Sequence, residues 1–206
     1  MPISNWPATQ SDRDYNAYYF TYESVFGFAD DRMLSSVKLE TALGSYAFPT
    51  ENVVIENYIG DFLKGKGRLD IAAQFFLNEF TMKLQSIERT YIDKIFALCD
   101  YYLQDKSKRY SRHLYDIYKL TERIYFDNNF EKLFGEIRSH RQRMLICPSA
   151  KEGVNISGII RRFCQDNFYK QDYEAITNYF SDDYVSYEDT IEQMLKIADL
   201  IDKFGC

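Results

Sequence analysis

A chain of 206 residues can form one good core or two small ones, since domains commonly run to roughly 100–150 residues, and its 46% hydrophobic and 17% aromatic content excludes a disordered polymer. A formal net charge of −6 argues against general affinity for nucleic acid. No apolar run approaches the ~20 residues that span a bilayer, and MPISNWP lacks the basic and apolar segments of an export signal, so a soluble, cytoplasmic protein is expected.

Residues 1–16 are polar, carry Pro2 and Pro7, and read as an irregular leader. From Ala17 to Phe28 the chain is aromatic and β-branched and predicts a strand, closed by Ala29-Asp30-Asp31. A second strand, Leu34 to Leu43, follows at hairpin distance, with Glu40 on the face opposite Leu39. Glu40 is thereby a candidate metal ligand, although a solvent-facing strand residue is the commoner outcome. Val53 to Leu63 suits either a helix or a strand. The turn Lys64-Gly-Lys-Gly-Arg68 lacks the preceding strand and following GK[ST] of a phosphate-cradling loop, so it is assigned no role. Ala73 to Leu84 reads as a third strand leading to Ser86, the expected N-cap of the next helix.

Two helices with an unusual charge pattern occupy Arg89 to Leu120. In the first, Ile92, Ile95, Phe96, Cys99, Tyr102 and Leu103 recur at helical spacing, with Lys94 off the centre of the stripe. In the second, Tyr110, Leu114, Ile117, Tyr118, Thr121 and Ile124 form the apolar stripe, while Arg112, Asp116, Lys119 and Arg123 line another face one turn apart. The connector from Asp105 to Ser111 is short enough to make the helices antiparallel neighbours, with Ser107 or Ser111 as N-cap. That arrangement lets Lys94 and Asp116 meet. Lys106, Lys108, Arg109, Arg112, Lys119 and Arg123 make either a local basic patch or a solvated helix face.

Further on, Phe130 to Leu145 reads as a helix whose Arg138, His140, Arg141 and Arg143 suggest a second anion-facing surface, and it ends at Pro148. Ile156 to Phe168, Asp172 to Phe180 and Tyr187 to Phe204 complete a helical second half. Strands before residue 86 and helices after it predict an α+β fold: a leader at 1–16, a β-rich segment at 17–85 and a helical lobe at 86–206. Cys99, Cys147, Cys164 and Cys206 lie far apart without a CxxC pair, and only His113 and His140 could join them around a metal, so they read as reduced, buried thiols.

RTYIDKIFAL, RYSRHLYDIYKL, the dipeptide Asp172-Tyr173 and YEDTIEQM at Tyr187 to Met194 together resemble the AbiEii/AbiGii family of abortive-infection toxins, which are nucleotidyltransferases. The sharpest part is R-T-x-x-[DE]-K followed about twenty residues later by R-H-x-Y-D. The resemblance implies part of a DNA-polymerase-β-like nucleotidyltransferase sheet followed by a helical bundle. It implies transfer of a nucleotide from an NTP to an RNA, for example tRNA, or to a protein acceptor, with Mg²⁺ as cofactor and a cognate antitoxin as partner in a toxin-antitoxin or phage-defence system. By motif match, Lys94 falls on the lysine that contacts NTP phosphates, Asp116 on the aspartate of the last motif and Glu40 on the third metal carboxylate. Arg89 and Arg112 are expected to add further phosphate contacts to the NTP.

The sequence departs from the family pattern at its first motif, a Gly-Ser or Gly-Gly-Ser/Thr turn followed about a dozen residues later by Asp-x-Asp, which has no counterpart here. Asp12-Arg-Asp14 has the dyad spacing, but no glycine precedes it and it lies close to Glu40, so it reads as a chance match. The chain looks as if it begins after the first catalytic strands. Glu40 alone cannot hold a catalytic Mg²⁺ pair, so nucleotide binding without transfer is the expectation for the isolated chain. The alternative to an enzyme is a catalytically inactive homologue that binds RNA, nucleotide or an antitoxin.

Overall fold

A computed structural model describes residues 10–12, 15–23, 36–42, 48–180 and 183–204. Contacts divide the chain into one unit at Met1–Ala47 and another at Phe48–Cys206.

The first unit holds a three-stranded antiparallel sheet of β1 (Gln10–Asp12), β2 (Tyr15–Thr21) and β3 (Ser36–Ala42), in that order. β1 lies within the stretch expected to be an irregular leader: Gln10 pairs with Ala17, so polar residues gain backbone partners although their side chains gave no strand pattern. Tyr19 lies opposite Lys38 and Ala17 opposite Glu40. The expected strand ends extend into residues 24–35 and to Leu43, outside the described residues, as are Arg13 and Asp14.

In the second unit β4 (Thr50–Ile55) pairs antiparallel with β5 (Phe80–Gln85), and between them lie α1 (Tyr58–Gly65) and α2 (Leu69–Gln74). The ambiguous segment from Val53 to Leu63 is thus the end of a strand followed by a helix. Asn57 separates the two by accepting from the Gly60 amide at 2.8 Å, while its own amide donates to the Leu77 carbonyl at 2.9 Å. The single strand expected over Ala73 to Leu84 is instead the end of α2, a reversal at Phe76 with φ of 56°, and β5.

The rest is helical: α3 (Ile87–Leu103), α4 (Arg112–Thr121), α5 (Asn128–Arg141), a 3-10 turn at Pro148–Ala150, α6 (Ile156–Gln165), α7 (Lys170–Phe180) and α8 (Tyr187–Lys203). α3 is the central rod. Its Tyr91, Ile92, Ile95, Phe96, Leu98 and Cys99 are all buried, and α4, α5 and α6 pack around it, with α8 against α4 and α6. Ser86 caps α3 by accepting from the Arg89 amide at 3.2 Å.

β4 and β5 belong with the helices, not with the earlier strands. The Ser86 amide donates to the Pro49 carbonyl at 2.9 Å, and Gln85 Nε2 donates to Thr90 Oγ1 at 3.2 Å and Asp93 Oδ2 at 3.1 Å. The break between units therefore falls at Ala47, ahead of the position near Gln85 where the hydropathy pattern changes. No helix among the described residues is long and apolar enough to cross a membrane.

Candidate functional site

Three contacts fix how α3 and α4 face each other. Tyr101 stacks on Tyr110 with centroids 3.6 Å apart, Lys94 Nζ donates to Asp116 Oδ2 at 2.6 Å, and the Tyr91 and Thr121 hydroxyls lie 2.9 Å apart. As the number falls along α3 it rises along α4, so the helices run antiparallel and Lys94 meets Asp116 midway. Hydropathy dictates this: the apolar stripes meet in the core and leave polar flanks side by side.

The Lys94–Asp116 pair is half-buried, at 22% and 37% side-chain exposure. Burial works to raise the Asp116 pKa, but the His113 ring and the Lys94 ammonium facing it outweigh that and hold it below the ordinary carboxylate value. Asp116 is therefore an anion near neutral pH. His113, one turn earlier on α4, places Nδ1 3.7 Å from the same Oδ2 and lies parallel to Tyr101 of α3, centroids 6.2 Å apart. Arg112 is exposed on the first turn of α4. Lys94, His113 and Asp116 thus put an ammonium, an imidazole and one ionised carboxylate along the α3–α4 seam, with the Arg112 guanidinium exposed at the start of α4, a combination suited to receiving a phosphate.

Arg89 is placed differently. It is 5% exposed, and its guanidinium donates to Asp93 Oδ2 at 2.8 Å and to the Phe48 carbonyl at 2.9 Å. Such bonds tie the start of β4 to α3 and leave the side chain turned inward. The Arg138 and Arg141 side chains, read as part of an anion-facing surface, are similarly committed. Arg138 Nη2 donates to the Val154 carbonyl at 2.7 Å. Arg141 bridges Asp93 Oδ1 at 3.1 Å and Asp100 Oδ2 at 2.9 Å, with its guanidinium over the Phe96 ring. In the basic stretch of α4, Lys119 is ion-paired with Asp183.

Glu40 lies exposed on β3 and forms an ion pair with Lys38 at 2.7 Å. Among the described residues no three or more His, Cys, Asp or Glu stand close enough to hold a metal ion, and the Asp116 carboxylate is engaged by Lys94. Cys99, Cys147 and Cys164 are free and buried, while Cys206 lies outside the described residues. Burial pushes the Cys99 and Cys164 thiols up, Cys164 to about 12, which makes both inert.

The model of the family described as nucleotidyl transferase AbiEii toxin, type IV TA system, matches residues 3–196. The chain belongs to the AbiEii family. No curated protein and no solved structure matches it. The AbiEii match spans both units and includes every residue of the α3–α4 seam. Sequence reasoning gave His113 no part in that seam, although it is the second residue of the RHLYD motif; its proximity to Asp116 is visible only once the α4 turn is built.

Proposed function

We propose that this AbiEii-family chain is a nucleotidyltransferase-type toxin of a type IV toxin-antitoxin system whose helical unit receives the triphosphate of an NTP at Lys94, for transfer to an RNA or protein acceptor. The observation that carries this reading is the 2.6 Å contact between Lys94 and Asp116 across α3 and α4. An ionised aspartate keeps the lysine aimed, and a partly exposed ammonium held this way supplies a charge-assisted donor to a phosphate oxygen. Exposed Arg112 adds a second donor that approaches phosphate in a bidentate manner. Arg89 contributes by holding α3 against β4, since its own donors are spent on Asp93 and Phe48.

Mg²⁺ enters this reading only as the counter-ion that arrives with the triphosphate, with Glu40 the carboxylate that the family resemblance offers it. A cognate antitoxin is the proposed protein partner, as the family's description suggests, and the cytoplasm the proposed compartment, in keeping with three free thiols. A second reading, a module that binds nucleotide, RNA or antitoxin without transferring, is favoured by a sequence that carries no glycine-serine turn with a following Asp-x-Asp.

Both readings are tested by incubating the purified chain with each labelled NTP, Mg²⁺ and total tRNA, and measuring affinity and label transfer separately. Lys94→Ala is expected to weaken NTP binding about tenfold or more, since hydrogen bonds to charged groups contribute ~1.5–3 kcal/mol. Binding indifferent to Lys94→Ala would refute the phosphate role. Transfer by this chain selects the enzyme, and binding without transfer selects the module.

A further inference from the structure

His113 sits beside the Lys94–Asp116 contact, near enough to help hold Asp116 ionised but too far to bond it. Nδ1 is closed off from solvent and has no hydrogen-bond partner among the described residues. It lies 3.7 Å from Asp116 Oδ2, just beyond hydrogen-bond reach, and that same oxygen accepts from Lys94 Nζ at 2.6 Å. The ring is held in this position by lying parallel to Tyr101, with 5° between the planes. Buried polar atoms are nearly always paired, so a ring nitrogen left waiting next to a carboxylate needs an explanation.

We propose that His113 is a proton-linked positioning residue: when a nucleotide phosphate engages Lys94, His113 takes up one proton from solvent and its Nδ1–H takes over Asp116 Oδ2. This rests on the reading of Lys94 as the phosphate donor. A phosphate drawn to Lys94 adds negative charge beside an aspartate that is already ionised and half-buried, and it competes for the ammonium that balances that aspartate. Two like charges sharing one lysine are relieved by a second cation, and histidine is the side chain that becomes one near neutral pH. The proton comes from bulk water, Asp116 stays ionised throughout, and the seam gains one positive charge for the phosphate it receives.

The surroundings permit this exchange. From α3, Lys94 and Tyr101 face the ring, and burial pushes the Tyr101 phenol up, so it stays neutral. From α4 and its approach come Tyr110, Arg112 and Asp116; Arg112 opposes protonation but is exposed and solvent-screened. On α7, Asp172 is engaged by the Arg109 and Ser111 amides. On α8, Asp189, Glu192 and Lys196 line a groove with Tyr118 and Glu122, a separate part of α4.

His113 and His140 are the chain's two histidines, so ring resonances can be followed by NMR with His140→Gln for assignment. In Lys94→Met, where Asp116 loses its cation without any nucleotide present, the His113 titration midpoint is expected to rise by about one pH unit or more, and to fall back in Lys94→Met/Asp116→Asn. Lys94→Gln serves where Lys94→Met is poorly folded. An unmoved midpoint overturns the proposal.

The nucleotide step is read by calorimetry with each of the four NTPs in two buffers of different ionisation heat. The chain is expected to take up more protons per NTP than His113→Gln does, the phosphate's own titration being common to both and cancelling. Equal proton counts overturn the proposal. Absence of NTP binding overturns the phosphate reading and the trigger with it, while the Lys94→Met titration still reports on the His113–Asp116 exchange separately.

Discussion

Asp93 and Asp100 stand two turns apart on α3, and Arg141 reaches both from α5. Asp100 has 5% side-chain exposure and also accepts from the Ser149 amide at 2.8 Å and the Ser149 hydroxyl at 2.7 Å. A charge this deeply placed is tolerable only because both carboxylate oxygens are met by donors. Asp100→Ala would leave Arg141 Nη2 and the Ser149 amide without their carboxylate near the core, so it is expected to cost about 3–5 kcal/mol in urea unfolding. A loss under about 1 kcal/mol would show that water replaces the carboxylate. Nothing in the sequence announces this network, because its members are 41 and 49 residues apart and look like ordinary helix-face charges. The Lys94–Asp116 contact was legible for the opposite reason: a short connector between two amphipathic helices leaves few ways to pair their flanks.

At the level of elements, α4 is started by another helix. Its N-cap residue, Ser111, makes no side-chain cap; the hydroxyl donates to Asp172 Oδ2 on α7 at 2.6 Å. The same carboxylate accepts from the Ser111 amide at 3.3 Å and, through Oδ1, from the Arg109 amide at 2.9 Å, where Arg109 is held at φ of 71°. Asp172→Ala is expected to cost about 1–3 kcal/mol through those orphaned donors. Amide exchange should accelerate at Arg109, Ser111 and the first turn of α4 while α8 stays protected. Unchanged exchange at Ser111 would mean that packing alone sets the start of α4. Ser86 and Ser111 show where reading from sequence stops: the first caps its own helix, a local event, and the second is fixed by a residue 61 positions away. The strand expected over Ala73 to Leu84 fails for a related reason. Phe75, Phe76 and Leu77 form an apolar run, but the Leu77 amide bonds back to the Ala72 carbonyl at 2.8 Å and closes the end of α2. Phe75 and Phe76 are left exposed, so their hydrophobicity carries no periodic information.

For the whole chain, the hydrophobic cluster of the second unit begins at Tyr91 and ends at Ile201, and every member lies on α3 or later. The helical half was readable because helices that bury one stripe announce it every three or four residues, and six of them converge on one cluster. β4 and β5 were not readable as part of it, since Thr50, Glu51, Asn52 and Val53 alternate weakly and their attachment is polar: Gln85 to Asp93, Arg89 to Phe48, Ser86 to Pro49. A core that draws nothing from residues 1–47 among the described residues should survive without them. A fragment of residues 48–206 is therefore expected to give helical circular dichroism, a single cooperative thermal transition and dispersed methyl resonances from Ile92, Ile95 and Leu114. Because Lys94, His113 and Asp116 all lie within it, the fragment should also keep the His113 titration of the full chain. A broad melt with collapsed methyl dispersion would show that residues 1–47 complete the core, and a displaced His113 midpoint in a well-folded fragment would show that the earlier strands shape the charge environment of the α3–α4 seam.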